Sequence, residues 1–184
     1  MTTGTLSSAA CSSLERMFTR AATAHLRLDA EHSVTVTPLR DGAVGNLAHQ
    51  RVVVFTIASF RFRLVVLFHV PDDPAVKAYF NPQEAGKPTA IESISELGNL
   101  CCGAINRDLI PSFPCLAMSS PYLLDGPCAG FIDDLRPQQV SRFTVLVHGT
   151  AQLHATLCIC AYADVDFNTS FEGVADTCGE LEMF

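Results

Sequence analysis

The stretch Val52-Val-Val-Phe-Thr-Ile-Ala-Ser-Phe-Arg-Phe-Arg-Leu-Val-Val-Leu-Phe-His-Val70 is the most apolar in the chain, and its reading decides the fold. Arg61 and Arg63 interrupt it, and it is dense in Val and Phe, which suit a pleated, half-buried surface. Phe60, Phe62 and Leu64 alternate with Arg61 and Arg63 before the pattern becomes wholly apolar. Such alternation points successive side chains to opposite faces of a strand. The stretch therefore predicts two neighbouring antiparallel strands, Val52–Ile57 and Phe60–Val70, and not a membrane span.

Working outward, Val34 and Val36 alternate with Ser33, Thr35 and Thr37 in a further strand, closed by Pro38 and an Asp41-Gly42 turn. Before it, Ser12 and Glu15 have the spacing of a capping box, and Leu14, Met17, Phe18, Ala21 and His25 follow on one helical face, which predicts a helix ending near Asp29. On the other side, Pro71-Asp72-Asp73-Pro74 ends the apolar run and opens a short helix, Ala75–Phe80. A polar loop leads to a long helix at Ala90–Leu109. Strands are then predicted at Cys115–Met118, Tyr122–Leu124, Arg142–His148 and Gln152–Tyr162, with Asp125-Gly126-Pro127 as a turn. The order predicts an α+β fold, an antiparallel-rich β-sheet with long helices packed on one face. Residues 1–184 are read as a single domain with an ordered core over 11–167 and flexible ends at 1–10 and 168–184.

With 184 residues, 48% hydrophobic and 17% charged, the chain can build a sizeable core. A net charge of −7 with only 12 scattered basic residues argues against nucleic acid or an anionic membrane surface, both of which need concentrated Lys and Arg. Met1–Ala10 lacks the basic start and apolar core of a secretory signal, so a cytoplasmic location is expected. None of the eight cysteines forms a Cys-x-x-Cys pair. Cys158 and Cys160 would share one strand face and could hold a metal with His148 or His154, but buried free thiols are the commoner role. No structural metal, bound cofactor or disulfide framework is expected.

The long helix bears the candidate site residues. Thr89 and Glu92 have capping-box spacing at its start. Ile91, Ile94, Leu97, Gly98, Cys101, Cys102, Ile105 and Leu109 fall on one broad side, which is assigned to the core. Opposite them Glu92, Glu96, Asn99, Gly103 and Asn106 recur at intervals of four, three, four and three. Two Asn and a Gly are poor choices for a solvated helix face, and Gly alone costs about 1 kcal/mol relative to Ala. The missing side chain at Gly103 opens a depression that another surface could approach; on periodicity alone, a plain exposed face with indifferent residues is the alternative.

The segment Glu92-Ser-Ile-Ser-Glu96-Leu-Gly-Asn99-Leu-Cys-Cys-Gly103 resembles the acidic-x-x-x-Glu-x-x-Asn-x-x-x-Gly signature of the CheC/CheX/FliY chemotaxis phosphatases. Ser119-Ser120-Pro121-Tyr122-Leu123-Leu124-Asp125-Gly126 is similar to the Ser/Pro strand and Gly turn that follow the motif helix in CheX-like domains. The resemblance implies hydrolysis of the aspartyl phosphate of a CheY-like response regulator. Asn99 would hold the attacking water and Glu96 would pair with the regulator's active-site lysine. Glu92, Gly103 and Asn106 would belong to the partner-binding surface, with Glu92 favoured as a helix cap. Mg²⁺ would belong to the regulator. Glycines common in the family are missing between Ala58 and Arg63, and Glu15-Arg16-Met17-Phe18 offers no Glu-x-x-Asn, so a single-site, CheX-like arrangement is expected. A homodimer through apolar edge strands is a further expectation. The competing readings are a non-catalytic module docking on a regulator or a flagellar or sensory assembly through the same helix, and a small-molecule enzyme using Glu92 and Glu96 as paired carboxylates.

Overall fold

A computed structural model describes residues 4–39, 50–81 and 88–169. In chain order these form helix α1 (Ser8–His25), strands β1 (Val34–Pro38), β2 (Gln50–Ala58) and β3 (Phe62–Pro71), helices α2 (Pro74–Phe80) and α3 (Ala90–Leu109), and strands β4 (Ala117–Met118) and β5 (Tyr122–Asp125). A 3₁₀ helix (Gly126–Leu135) and strands β6 (Gln139–Val147) and β7 (Ala151–Ala161) complete them. The Asp41-Gly42 turn and most of the proposed C-terminal end, residues 170–184, lie outside the described residues.

The apolar run folds as the expected hairpin, with Gln50 opposite Pro71 and Ala58 opposite Arg63. The strands form one antiparallel sheet in the order β1-β6-β7-β3-β2-β4, and β5 also pairs with β2. β3 is central and buried on both faces from Leu64 to Val70, which is why its sequence abandons alternation there. β6 keeps the alternation of a sheet with one covered face: Phe143, Val145 and Val147 are buried and their neighbours only partly so. The architecture is thus α+β, with the three α-helices on one face of the sheet.

Phe18 of α1 occupies the centre of the covered face, its ring centroid 4.8 Å from that of Phe143 and 6.3 Å from that of Phe68. Ile94, Cys101, Cys102 and Ile105 of α3 and Val76 and Phe80 of α2 join this cluster. On the opposite face the 3₁₀ helix lays Ile132 and Ala129 against Val52, Val54, Val65, Leu67, Cys158 and Cys160. Cys158 and Cys160 do share a strand face, and both thiols are buried there.

Two local expectations are corrected. α1 begins at Ser8, where Ser7 is the N-cap and its side chain accepts a hydrogen bond from Ala10 N; the helix stops at His25, before Asp29. The Ser12 and Glu15 spacing is no cap, and the Glu15 carboxylate instead accepts from Ser141 Oγ at 2.6 Å. The start at Ser8 is fixed by tertiary pairing of the preceding residues, since Leu6 bridges Val165 and Thr5 Oγ1 donates to Asp164 at 2.7 Å. Asp125-Gly126-Pro127, expected as a turn, instead opens the 3₁₀ helix, with Pro127 in its first turn.

Candidate functional site

α3 is positioned by three devices. Thr89 Oγ1 accepts from Glu92 N at 3.3 Å while Thr89 N donates to the Glu92 carboxylate at 2.7 Å, a complete capping box. Those hydrogen bonds, the backbone one foremost, hold the Glu92 carboxyl below its ordinary range. Ser93 Oγ donates to Phe80 O at 2.8 Å and ties the first turn to α2. Near the other end Arg20 of α1 grips the Asp108 carboxylate with one nitrogen, 2.5 and 2.6 Å from its two oxygens.

Between these ties Gly98 sets the depth of the helix. A Cβ there would lie 2.8 Å from Phe55 Cε2 and 3.0 Å from Phe68 Cε2, so α3 rests on β2 and β3 at a separation that no larger residue permits. Asn99, the next residue, is thereby held at a fixed height above the sheet.

The outward side of α3 carries the residues singled out in the sequence. Glu92 and Glu96 are exposed, and Asn99, Gly103 and Asn106 are half-buried. Neither Glu96 nor Asn99 takes a hydrogen-bond or ion-pair partner among the described residues, so a carboxylate and a carboxamide one turn apart are displayed unspent. Asn106 lies at the margin of this face, and its Oδ1 is buried without a hydrogen-bond partner among the described residues. A Cβ on Gly103 would meet only the Arg107 guanidinium, at 3.7 Å. Neither packing nor backbone conformation asks for glycine at that position.

Leu100 was missed by the sequence reading. It is 54% exposed and stands four residues beyond Glu96, on the same side of the helix; that spacing was the available signal. Arg107 likewise shares this side, seven or eight residues beyond the Asn99–Leu100 pair. Among the described residues no group of three or more His, Cys, Asp or Glu side chains is arranged to hold a metal ion, and no helix is long and apolar enough to cross a membrane.

No family model matches the sequence, and no curated protein matches it. Solved structures do match in fold. The chemotaxis protein CheX from Vibrio vulnificus aligns with a TM-score of 0.55 and 10% identity, over 79% of this chain and 98% of that one. A putative chemotaxis protein from Desulfovibrio vulgaris Hildenborough aligns with a TM-score of 0.55 and 12% identity, over 79% and 96%. The middle domain of FliM from Vibrio alginolyticus aligns with a TM-score of 0.51 and 11% identity, over 83% and 94%. The chain has the fold of the CheC/CheX-type chemotaxis proteins. At such identities the likeness shows the fold alone.

Proposed function

We propose that the chain hydrolyses the aspartyl phosphate of a CheY-like response regulator in the cytoplasm, with Glu96 and Asn99 as its working residues. The observation that carries this reading is the pair itself: two polar side chains one helical turn apart, unpartnered among the described residues, on a helix capped at its start, tied to α1 and α2 and seated closely on the sheet. An acyl phosphate is already reactive, so the task is to place water. The Asn99 carboxamide can donate to one oxygen and accept from another, which suits it to hold a water in line with phosphorus inside the regulator's site. Glu96 supplies the anion that pairs with the regulator's lysine and fixes the docking. This chain needs no general base or metal of its own, and Mg²⁺ comes with the regulator.

The test is a screen of phosphorylated regulators from the same organism for accelerated loss of phosphate. The expected result is one regulator whose decay is accelerated by the wild-type chain, and no acceleration of any regulator would sink the proposal. A non-catalytic docking module is the second reading, favoured by Leu100, an apolar side chain 54% exposed on the same side of α3; it predicts regulator binding with an unchanged decay rate. A homodimer is part of the proposal as well. Tyr122, Leu123 and Leu124 are exposed on β5 beside the edge of the sheet, and light scattering of the purified chain reads the mass directly.

A further inference from the structure

The outward side of α3 is more specific than its polar residues alone. At about 100° per residue, Leu100, Gly103 and Arg107 lie within roughly 40° of Glu96 around the helix axis. Glu96 to Arg107 spans about 16 Å along it. The line therefore runs from an anion, over an apolar knob, across a residue without a side chain, to a cation.

Leu100 and Gly103 are displayed at some disadvantage, and Arg107 without an ion-pair partner among the described residues. Leu100 is 54% exposed, whereas Ile94, Cys101, Cys102, Ile105 and Leu109 of the same helix are buried. Gly103 is a poor helix former where a Cβ would have room. Arg107 stands in the last turn, where a cation ordinarily complements the exposed carbonyls. Its guanidinium instead reaches back to within 3.7 Å of the Gly103 Cβ position, the direction in which helical side chains lean. It takes no ion pair among the described residues, while the neighbouring Asp108 is held by Arg20.

We infer that Leu100 and Arg107 are the recognition residues of this face. The partner that fits presents an apolar socket for Leu100, a cation on one side for Glu96, and an acidic side chain on the other for Arg107, with its own surface entering over Gly103. The occupant is a receiver domain, and that choice rests on the phosphatase reading: Glu96 pairs there with the lysine of the receiver's active site, and Leu100 and Arg107 continue the same line about 6 and 16 Å further along the helix, over the surface that surrounds that site. Leu100 and Arg107 are positioning residues, since Asn99 alone faces the reacting phosphorus.

The experiment follows phosphate loss from the acetyl-phosphate-loaded receiver domain identified by the screen, with Leu100→Ala, Arg107→Glu, Arg107→Lys and Asn99→Ala variants whose thermal melts match wild type. Leu100→Ala and Arg107→Glu are expected to raise KM about tenfold or more with kcat within threefold. Arg107→Lys should recover most of the loss, and only the Arg107 effect should shrink in high salt. Unchanged KM in Leu100→Ala and Arg107→Glu overturns the inference. So does a change confined to self-association, which would assign the face to a second copy of the chain. If wild type accelerates no receiver domain, the same variants are titrated against beryllofluoride-loaded receiver domains. Binding that wild type and Asn99→Ala retain and Leu100→Ala loses upholds the recognition face while the enzymatic reading falls. No binding by wild type overturns both.

Discussion

Gly98 and Phe55 are in direct apposition: a methyl group on the glycine would stand 2.8 Å from the ring. Phe55 is fully buried and packs edge-on against Phe68, with centroids 6.0 Å apart, so it has nowhere to retreat. Gly98→Ala should therefore lift α3 from the sheet, at a cost of about 1–3 kcal/mol from overpacking. Thermal denaturation reads the loss, and phosphate release should slow as well because Asn99 is displaced with the helix.

Gly103→Ala should do the opposite to stability. Its Cβ meets only the far end of the Arg107 side chain, at 3.7 Å, an ordinary contact distance, so the gain in helix propensity, up to about 1 kcal/mol, is expected to appear as a raised Tm. A stabilised variant that docks less well on the regulator would separate the two uses of this residue.

The capping box gives a third contrast. Thr89→Ala should destabilise the chain by about 1 kcal/mol. The Glu92 carboxyl is held below its ordinary range by Thr89, so its contribution is present above the unfolded carboxylate pKa and is lost as pH falls through the lower folded value. Glu92→Gln should lower Tm at neutral pH and leave the kinetics of regulator dephosphorylation within about twofold, as a cap would and a catalyst would not.

Glu96 and Asn99 should split kinetically. Asn99→Ala is expected to lower kcat by about 10²-fold while binding persists, the scale at which misplacing a reactant is felt. Glu96→Ala should act chiefly on KM and on its salt dependence. Concentration series with a phosphorylated regulator separate the two.

On the far side of the sheet, burial pushes the His69 imidazole down to about 4 from 6.5, with His154 and Arg142 adding to the effect. Its Nε2 lies 3.0 Å from Thr156 Oγ1, and its Nδ1 has no hydrogen-bond partner among the described residues. Above pH 6.5 the ring is neutral in both states and the full stability is present. As pH falls from there toward 4, the unfolded chain takes up the proton first and about 3 kcal/mol is lost. Denaturant titrations at several pH values should show this slope, and His69→Phe should flatten it.

Much of α3 was legible because a helix writes its period into sequence without help from distant residues. Its limits, Ala90 and Leu109, its cap and its buried side all follow from local spacing. The strand at β7 and the shared face of Cys158 and Cys160 were equally legible, and both thiols enter the cluster opposite the α-helices while Leu157 and Ile159 enter the covered core. The 3₁₀ helix was not, since Gly126–Leu135 follows neither a period of two nor one of 3.6 and is held by Ile132 reaching the β2–β3–β7 surface. The start of α1 was ambiguous for another reason. Several serines could cap it, and the choice of Ser7 depends on Leu6 pairing with Val165 across the whole chain.

The sequence by itself determined that a capped helix bears Glu96, Asn99 and Gly103 on the side away from its apolar residues, because helical phase is a local property. Only the tertiary structure decided what that side is. It shows that Gly98 is glycine to let the helix approach the sheet and Gly103 is not. It also shows that Arg107 turns back over Gly103. Those distinctions depend on which neighbours arrive from β2, β3 and α1, and nothing in the spacing of one helix records them.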